Sequence, residues 1–237
     1  MVQKNRNSNL SFRCNVDTGE PDIIQKINLF IFDKYFNNGK KVLDIGCWTG
    51  GWPRLLVKKN VKVYALEPSA PALHIARSDN KNVSFKQGSV FKLPYENDSF
   101  DVVTFWMVLE HLPNKSEGRA LLEIKRVLKP GGFLLLSTPH WQWANNIMDV
   151  AHFLKGHRHY SRKKLTALIT SSGLDINDLF VRGGFWNAFS VDIFYFYKHL
   201  LNRNLPATIR SKFNERIKKE FLKPGGFTDL YTIAKKI

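Results

Sequence analysis

KVLDIGCWTGGWPR, residues 41–54, changes character three times along its length. Val42, Leu43 and Ile45 form a short apolar run with Asp44 near its end, Gly46, Gly50 and Gly51 break it, and Pro53 suits the first turn of a helix. The stretch reads as strand, tight glycine turn, helix. Glycines in such a turn remove the Cβ atoms that would keep a ligand away from the backbone at the mouth of a parallel sheet. Trp48 stands where a G-x-G-x-G pattern has its middle glycine, so the ligand has to be argued from the chain on either side.

Upstream, DIIQKINLFIFDKYF (residues 22–36) places Ile23, Ile27, Phe30 and Ile31 at helical spacing behind Asp22 as a cap, which predicts a helix packed on the sheet. The polar residues 1–21 before it are expected to form a flexible arm, and 22–237 a single domain. Downstream, Trp52–Lys59 predicts a helix and VKVYALE (61–67) a strand that ends on Glu67. An acidic residue closing the second strand, roughly 20 residues after the glycine turn, is where a nucleotide-binding α/β unit places its ribose acceptor. Pro68 and Ser69 start the next helix. Strands are expected at 83–87, 100–106 (FDVVTFW) and 133–137, with a helix capped by Ser116 and faced by Leu121, Ile124 and Leu128. Strands alternating with helices of this length imply right-handed crossovers and an α/β, doubly wound sheet.

Composition narrows the function classes. The chain has 237 residues, enough for one large domain, and a net charge of +16, which suits nucleic acid, an anionic membrane face, an anionic substrate or a solubilising surface. Cys14 and Cys47 are far apart and lack metal spacing, so neither a disulfide framework nor a zinc site is expected, and a cytoplasmic compartment is. No secretory leader and no run of membrane-span length is visible in the sequence.

Residues 40–139 resemble the class I S-adenosylmethionine-dependent methyltransferases, within the small-molecule group called type 11. The resemblance rests on VLDIGCWTG, VYALEPS, GSVFKLPYENDSFDVV, MVLEHL and EIKRVLKPGGFLLLSTP in that order and spacing. It continues more weakly through HRHYSRKKLTALITSSGLDI and GGFTDLYTIAKK, while 185–224 matches nothing in the family and reads as a helical insertion. The resemblance implies a mostly parallel seven-stranded sheet with a final antiparallel strand, and S-adenosylmethionine as cofactor. It implies a cofactor pocket of Asp44, Gly46, Cys47, Trp48, Gly50, Glu67, Pro68, Ser89, Val90 and Trp106. In it Gly46 and Gly50 would admit the methionine portion, Asp44 would orient the loop or meet the amino group, and Glu67 would accept from the ribose. Ser89 replaces the family's usual acidic partner of the adenine amino group.

Methyl transfer from a sulfonium needs both reactants held in line in a dry pocket, and an oxygen acceptor can additionally need a base. His111, at the end of the fourth strand, is a candidate base or a structural fixture. His140, His152, His157 and His159 follow the fifth strand; only Asp149 joins them at ligand spacing, so no metal is expected, and His157 or His159 reads as a substrate contact or base. Trp141 and Trp143 lean toward substrate, Trp106 and Trp186 toward core. The basic run Arg158, Arg162, Lys163, Lys164 reads as a solvated helix face, or else a phosphate site.

The expected function is methyl transfer to a small molecule such as a lipid, quinone or sugar intermediate. A non-catalytic cofactor binder and an RNA methyltransferase are the alternatives, although TFWMVLEH stands where base N-methylation would have an Asn/Asp-Pro-Pro-Tyr type motif. Phe185–Leu201 is apolar almost all round, and Leu205, Ile209, Phe213, Ile217 and Phe221 form one stripe in a basic segment. Residues 151–237 carry 16 Lys and Arg against 6 Asp and Glu. A cap on the sheet, a homodimer contact and a peripheral membrane contact are the three readings of 185–223.

Overall fold

The computed structural model describes residues 20–142, 146, 157–197, 201–203 and 205–237. The expected arm therefore lies outside the described residues except for Glu20, which pairs with Arg54, and Pro21, as do Trp143, Asp149 and His152.

Seven strands form one sheet in the order β3-β2-β1-β4-β5-β7-β6. They are β1 (Lys41–Ile45), β2 (Lys62–Glu67), β3 (Val83–Gln87), β4 (Phe100–Trp106), β5 (Leu128–Pro139), β6 (Leu174–Arg182) and β7 (Asp229–Lys236). Strands β3, β2, β1, β4 and β5 run parallel, and β7 is antiparallel to both β5 and β6. The strand order reverses at β1, flanked by β2 and β4, so the connections leaving β1 and β4 diverge and open a crevice at their carboxyl ends. The doubly wound sheet with a final antiparallel strand is thus observed.

Seven helices flank the sheet among the described residues: α1 (Ile23–Ile31), α2 (Gly51–Val57), α3 (Ala70–Asp79), α4 (Glu117–Val127), α5 (Arg162–Ser171), α6 (Phe185–Tyr195) and α7 (Ala207–Leu222). One apolar layer joins Leu43, Val103, Leu134 and Leu136 of the sheet to Leu121 and Ile124 of α4 and Leu165 and Ile169 of α5. The other joins Val42, Val102, Leu135 and Tyr231 to Ile24 and Ile27 of α1, Trp52 and Leu56 of α2 and Ile217 and Phe221 of α7. With both faces covered, β1 is buried from Val42 to Ile45, which its β-branched and leucine run anticipates.

Several expected boundaries shift for local reasons. Asp22 caps α1 as expected, in a capping box with Gln25, but the helix stops at Ile31 and a 3₁₀ turn at Asp33–Tyr35 follows. Ile24 and Asn28 are buried, and Phe30 is exposed although its spacing placed it inward; the Asn28 side-chain Oδ1 accepts from Tyr231 Oη at 3.0 Å. Ser116 precedes α4 without capping it, because its hydroxyl turns back to donate to Pro113 O. Strand β5 begins five residues early: Leu128 already pairs with Phe100, and the register shifts before Val102 meets Phe133.

Candidate active site

The turn after β1 is built by hydrogen bonds to the neighbouring strand. Gly46 and Cys47 donate their backbone N–H groups to Leu66 O, and Gly50 donates to Cys47 O. Gly46 and Gly50 have φ of +80° and +86°, which L side chains rarely adopt, and the space a Cβ would take is filled by protein: Val108 at Gly46, Asn80 and Ala76 at Gly50. These two glycines thus let β4's outgoing chain and α3 close on the loop. Trp48 also lies in the left-handed region, at φ +48°, and an L-residue there costs about 1 kcal/mol. Its N–H donates to Glu67 Oε2 at 3.0 Å, which holds the strained residue in place. Cys47 is buried, its Sγ 3.8 Å from Trp48 O.

Two carboxylates converge on this turn. Glu67 uses Oε2 for Trp48 and Oε1 for Ser69 N at 2.9 Å, and burial pushes its carboxyl up against those two bonds. Asp44 is buried opposite Thr104 in the β1–β4 register, and Thr104 Oγ1 donates to Asp44 Oδ1 at 2.7 Å while accepting from Trp52 Nε1 at 3.1 Å. Burial, with the Glu67 charge as a smaller contribution, pushes the Asp44 carboxyl up to about 7, against the Thr104 bond. Neither acid is salt-bridged among the described residues. The same turn holds two buried polar atoms without partners, Trp48 Nε1 and Thr49 Oγ1. Two buried carboxyl groups and an unmet donor around one glycine turn suit a ligand carrying positive charge, which favours their ionised form, beside a carboxylate, as the sulfonium amino acid of S-adenosylmethionine does.

Of the other expected cofactor residues, exposed Pro68 accepts from Gln87 Nε2 through its carbonyl, and Ser89, also exposed, uses its hydroxyl locally as an acceptor from Phe91 N. Val90 is buried in the core beside Leu66. Trp106 points to the layer of α1 and α2, its ring edge-on to Trp52 at 5.6 Å and tilted against Phe32 at 5.0 Å, so its main contacts are aromatic packing. Its Nε1 is buried without a partner.

The chain leaving β4 passes Val108, which packs on Gly46, and turns through a 3₁₀ segment at Leu109–His111. His111 thus stands one turn beyond the residue that touches the glycine loop. Its ring meets that of His157 edge-on at 4.6 Å. Arg158, the residue after His157, crosses to the turn and donates to Leu109 O at 3.0 Å and Leu112 O at 2.7 Å and forms an ion pair with Glu117. Tyr160 Oη donates to the same Glu117 carboxylate at 2.9 Å. The solvated-face reading fails for Arg158 because it precedes α5 and its fork reaches carbonyls of the 3₁₀ turn, Leu112 O and a Leu109 O that also accepts from Leu112 N and Tyr160 Oη. Arg162, Lys163 and Lys164 do lie on the first turn of α5.

His159 does not join the pair in this way. It is buried, and the Asn146 amide donates to its Nδ1 while accepting from Trp141 Nε1 at 3.1 Å. His140 donates its N–H to Thr228 O at the end of β5, and burial holds its imidazole below the usual histidine range. Thr104, Val108 and Glu117 were not singled out in sequence, and Arg158 stood out there only as part of a basic run. Of the first three, only Thr104 had a signal, a polar residue inside FDVVTFW, and its partner became visible only with the register to Asp44.

A family model described as a methyltransferase domain matches residues 19–179. A demethylmenaquinone methyltransferase of Lactiplantibacillus plantarum is 32% identical over 168 residues, covering 62% of this chain and 70% of that protein. One of Lactococcus lactis subsp. lactis is 40% identical over 111 residues, covering 43% of each, so the chain spans less than half of that relative. A putative sarcosine dimethylglycine methyltransferase from Galdieria sulphuraria shares the fold, with a TM-score of 0.65 at 18% identity over 90% of this chain and 84% of that one.

Proposed function

This chain belongs to the methyltransferase-domain family and is an S-adenosylmethionine-dependent methyltransferase, and from that premise we propose that its acceptor is a small ring-bearing molecule of the quinol class. The observation that carries this reading is the edge contact of His111 and His157 one turn beyond the glycine loop, which gives a hydroxylated ring a proton acceptor beside the methyl donor. The names of the relatives from Lactiplantibacillus and Lactococcus support the quinol class.

When bound, the cofactor supplies a methyl group on a positively charged sulfur. Asp44 and Glu67, both buried at the strand ends, hold negative charge for it, and the Trp48 and Thr49 side chains offer a donor and a hydroxyl to its amino-acid end. Gly46, Cys47 and Gly50 shape the turn, while Pro68 and Ser89 line the approach beyond Glu67 and Val90 supports it from the core. With the cofactor bound, transfer would exchange its carbon–sulfur bond for a bond from the same carbon to the acceptor and would leave an acceptor proton for the protein to remove. In this reading a ring nitrogen of His111 takes that proton, with His157 against it and His159 held behind Asn146 as part of the scaffold. Arg158 keeps the two rings in register by fixing the turn that carries His111.

A quinol acceptor resides in a bilayer, so contact with a membrane surface belongs to the same reading. No helix among the described residues is long and apolar enough to cross a membrane. The test is transfer of labelled methyl from S-adenosylmethionine to demethylmenaquinol, a sugar, sarcosine and total RNA in parallel. Label in the quinol, lost in His111→Ala, supports the proposal; label confined to RNA or to sarcosine overturns it.

A further inference from the structure

Helices α6 and α7 fall between β6 and β7, and strand direction fixes where they begin. Strand β6 is parallel to β5, since both are antiparallel to β7, and its last residue Arg182 pairs with Asp229, which pairs with Pro139 at the end of β5. The first residue of α6 therefore leaves from the edge of the sheet that carries the glycine loop. Asn187 Nδ2 donates to Thr228 Oγ1 at 2.9 Å, and Thr228 O accepts from His140 N at 2.8 Å, which ties the start of α6 to the chain leaving β5.

The sequence FWNAFSVDIFY is too apolar for a helix in water, yet α6 is covered mainly by α7. Ile217 and Phe221 of α7 turn inward, while Phe185, Phe196 and Leu222 stand 50%, 47% and 42% exposed. Beside Phe185, the residues Trp186, Arg216, Lys219, Glu220 and Lys223 line an open cleft of about 230 Å³. The Arg216 guanidinium lies over the Trp186 ring at 3.9 Å. Glu220 does not neutralise this cluster freely, because its two oxygens accept from Trp186 N at 2.8 Å and Asn187 N at 3.0 Å and so cap α6. Residues 203–223 hold seven Lys and Arg against two Glu.

We propose that the α6–α7 face docks on an anionic lipid bilayer, with Phe185, Phe196 and Leu222 in the headgroup boundary and Arg216, Lys219 and Lys223 against lipid phosphates. Charge complementarity selects this occupant: exposed aromatic side chains beside a cluster of cations with its one carboxylate engaged match an apolar interior under a negative surface. The position at the ligand edge of the sheet lets an acceptor pass from bilayer to site without crossing open water. The inference deepens the quinol reading, but its test uses neither acceptor nor cofactor, so either can fail alone.

The test is co-sedimentation with vesicles of 70% phosphatidylcholine and 30% phosphatidylglycerol, against pure phosphatidylcholine, at low and at high salt, all compositions chosen as roughly those of an anionic leaflet. Binding to the anionic vesicles that fades with salt is expected. Lys219→Gln with Lys223→Gln should lower partitioning about 25-fold, at roughly fivefold per cation. Phe185→Ser should lower it further. No binding at low salt, equal binding to pure phosphatidylcholine, or wild-type partitioning of the variants each overturns the proposal. So does a dimer in sedimentation equilibrium that Phe185→Ser dissociates, which would assign the face to a second copy.

Discussion

Thr104 Oγ1 and Asp44 Oδ1 stand 2.7 Å apart across neighbouring strands, and this hydrogen bond is what keeps a fully buried carboxylate chargeable near neutral pH. The same hydroxyl accepts from Trp52 Nε1, so one threonine links β4 to the acid on β1 and the indole on α2.

The first prediction follows from the Asp44 carboxyl at about 7. A cation bound beside it favours the anion, so cofactor binding should release a proton and strengthen as pH rises from roughly 6 to 8. Titration calorimetry in two buffers of different ionisation enthalpy reads the proton directly. Asp44→Asn should abolish the release, and S-adenosylhomocysteine, which lacks the sulfonium charge, should release less. A binding enthalpy independent of buffer would rule the linkage out.

The same carboxyl makes stability depend on pH. Because its folded-state value lies above the ordinary 3.8, the folded protein holds a proton that the unfolded chain has lost, so this contribution declines as pH rises from about 4 to about 7. Asp44→Asn should therefore raise stability at pH 8 by about 2 kcal/mol and change it little at pH 4. Urea denaturation at the two pH values measures the difference.

Trp48 combines a strained backbone with a buried indole N–H that has no partner. Trp48→Gly relieves the strain but adds chain entropy to the unfolded state, so stability should move by less than about 1 kcal/mol. Cofactor affinity should fall, since the unmet donor is removed. Indole fluorescence of the wild type, compared with Trp48→Phe during cofactor titration, shows whether the ring senses the ligand; affinity equal to wild type in Trp48→Gly refutes the role.

Arg158→Ala leaves the Glu117 carboxylate buried without its cation and takes one donor from each of Leu109 O and Leu112 O, at a cost of about 3 kcal/mol. Arg158→Lys should recover the charge and lose the fork, giving a folded protein whose kcat falls more than its KM changes. A lysine variant with wild-type kcat would show that the clamp does not position His111.

Glu220→Ala removes both acceptors at the start of α6, where Gly184 offers no side chain to replace them, and should cost about 1 to 2 kcal/mol. Thermal unfolding measures it, and Glu220→Asp, too short to span the gap, should behave similarly.

Periodicity and punctuation made most of the fold legible. Strands β3 and β4 match their expected bounds residue for residue, because Val83–Gln87 and Phe100–Trp106 are short β-branched and aromatic runs bounded by turn residues. The Leu205 to Phe221 stripe marked a one-sided helix, and its inner residues Ile217 and Phe221 are buried. Legibility failed where a neighbour overrode local preference. Phe30 kept helical spacing yet faces outward, and Ser116 spent its hydroxyl on Pro113.

The chain's own letters set the sheet, the glycine turn with its flanking acids Asp44 and Glu67, and the basic, aromatic segment before the last strand. All of these rest on interactions between residues close in sequence or on burial patterns with a fixed period. Tertiary structure alone determined that Thr104 meets Asp44, that Val108 fills the space at Gly46, that Arg158 clamps the turn bearing His111, and that Glu220 caps α6. Each joins residues about 30 to 60 positions apart, and a one-dimensional pattern carries no information on such pairs until strand order and register bring them within hydrogen-bond reach.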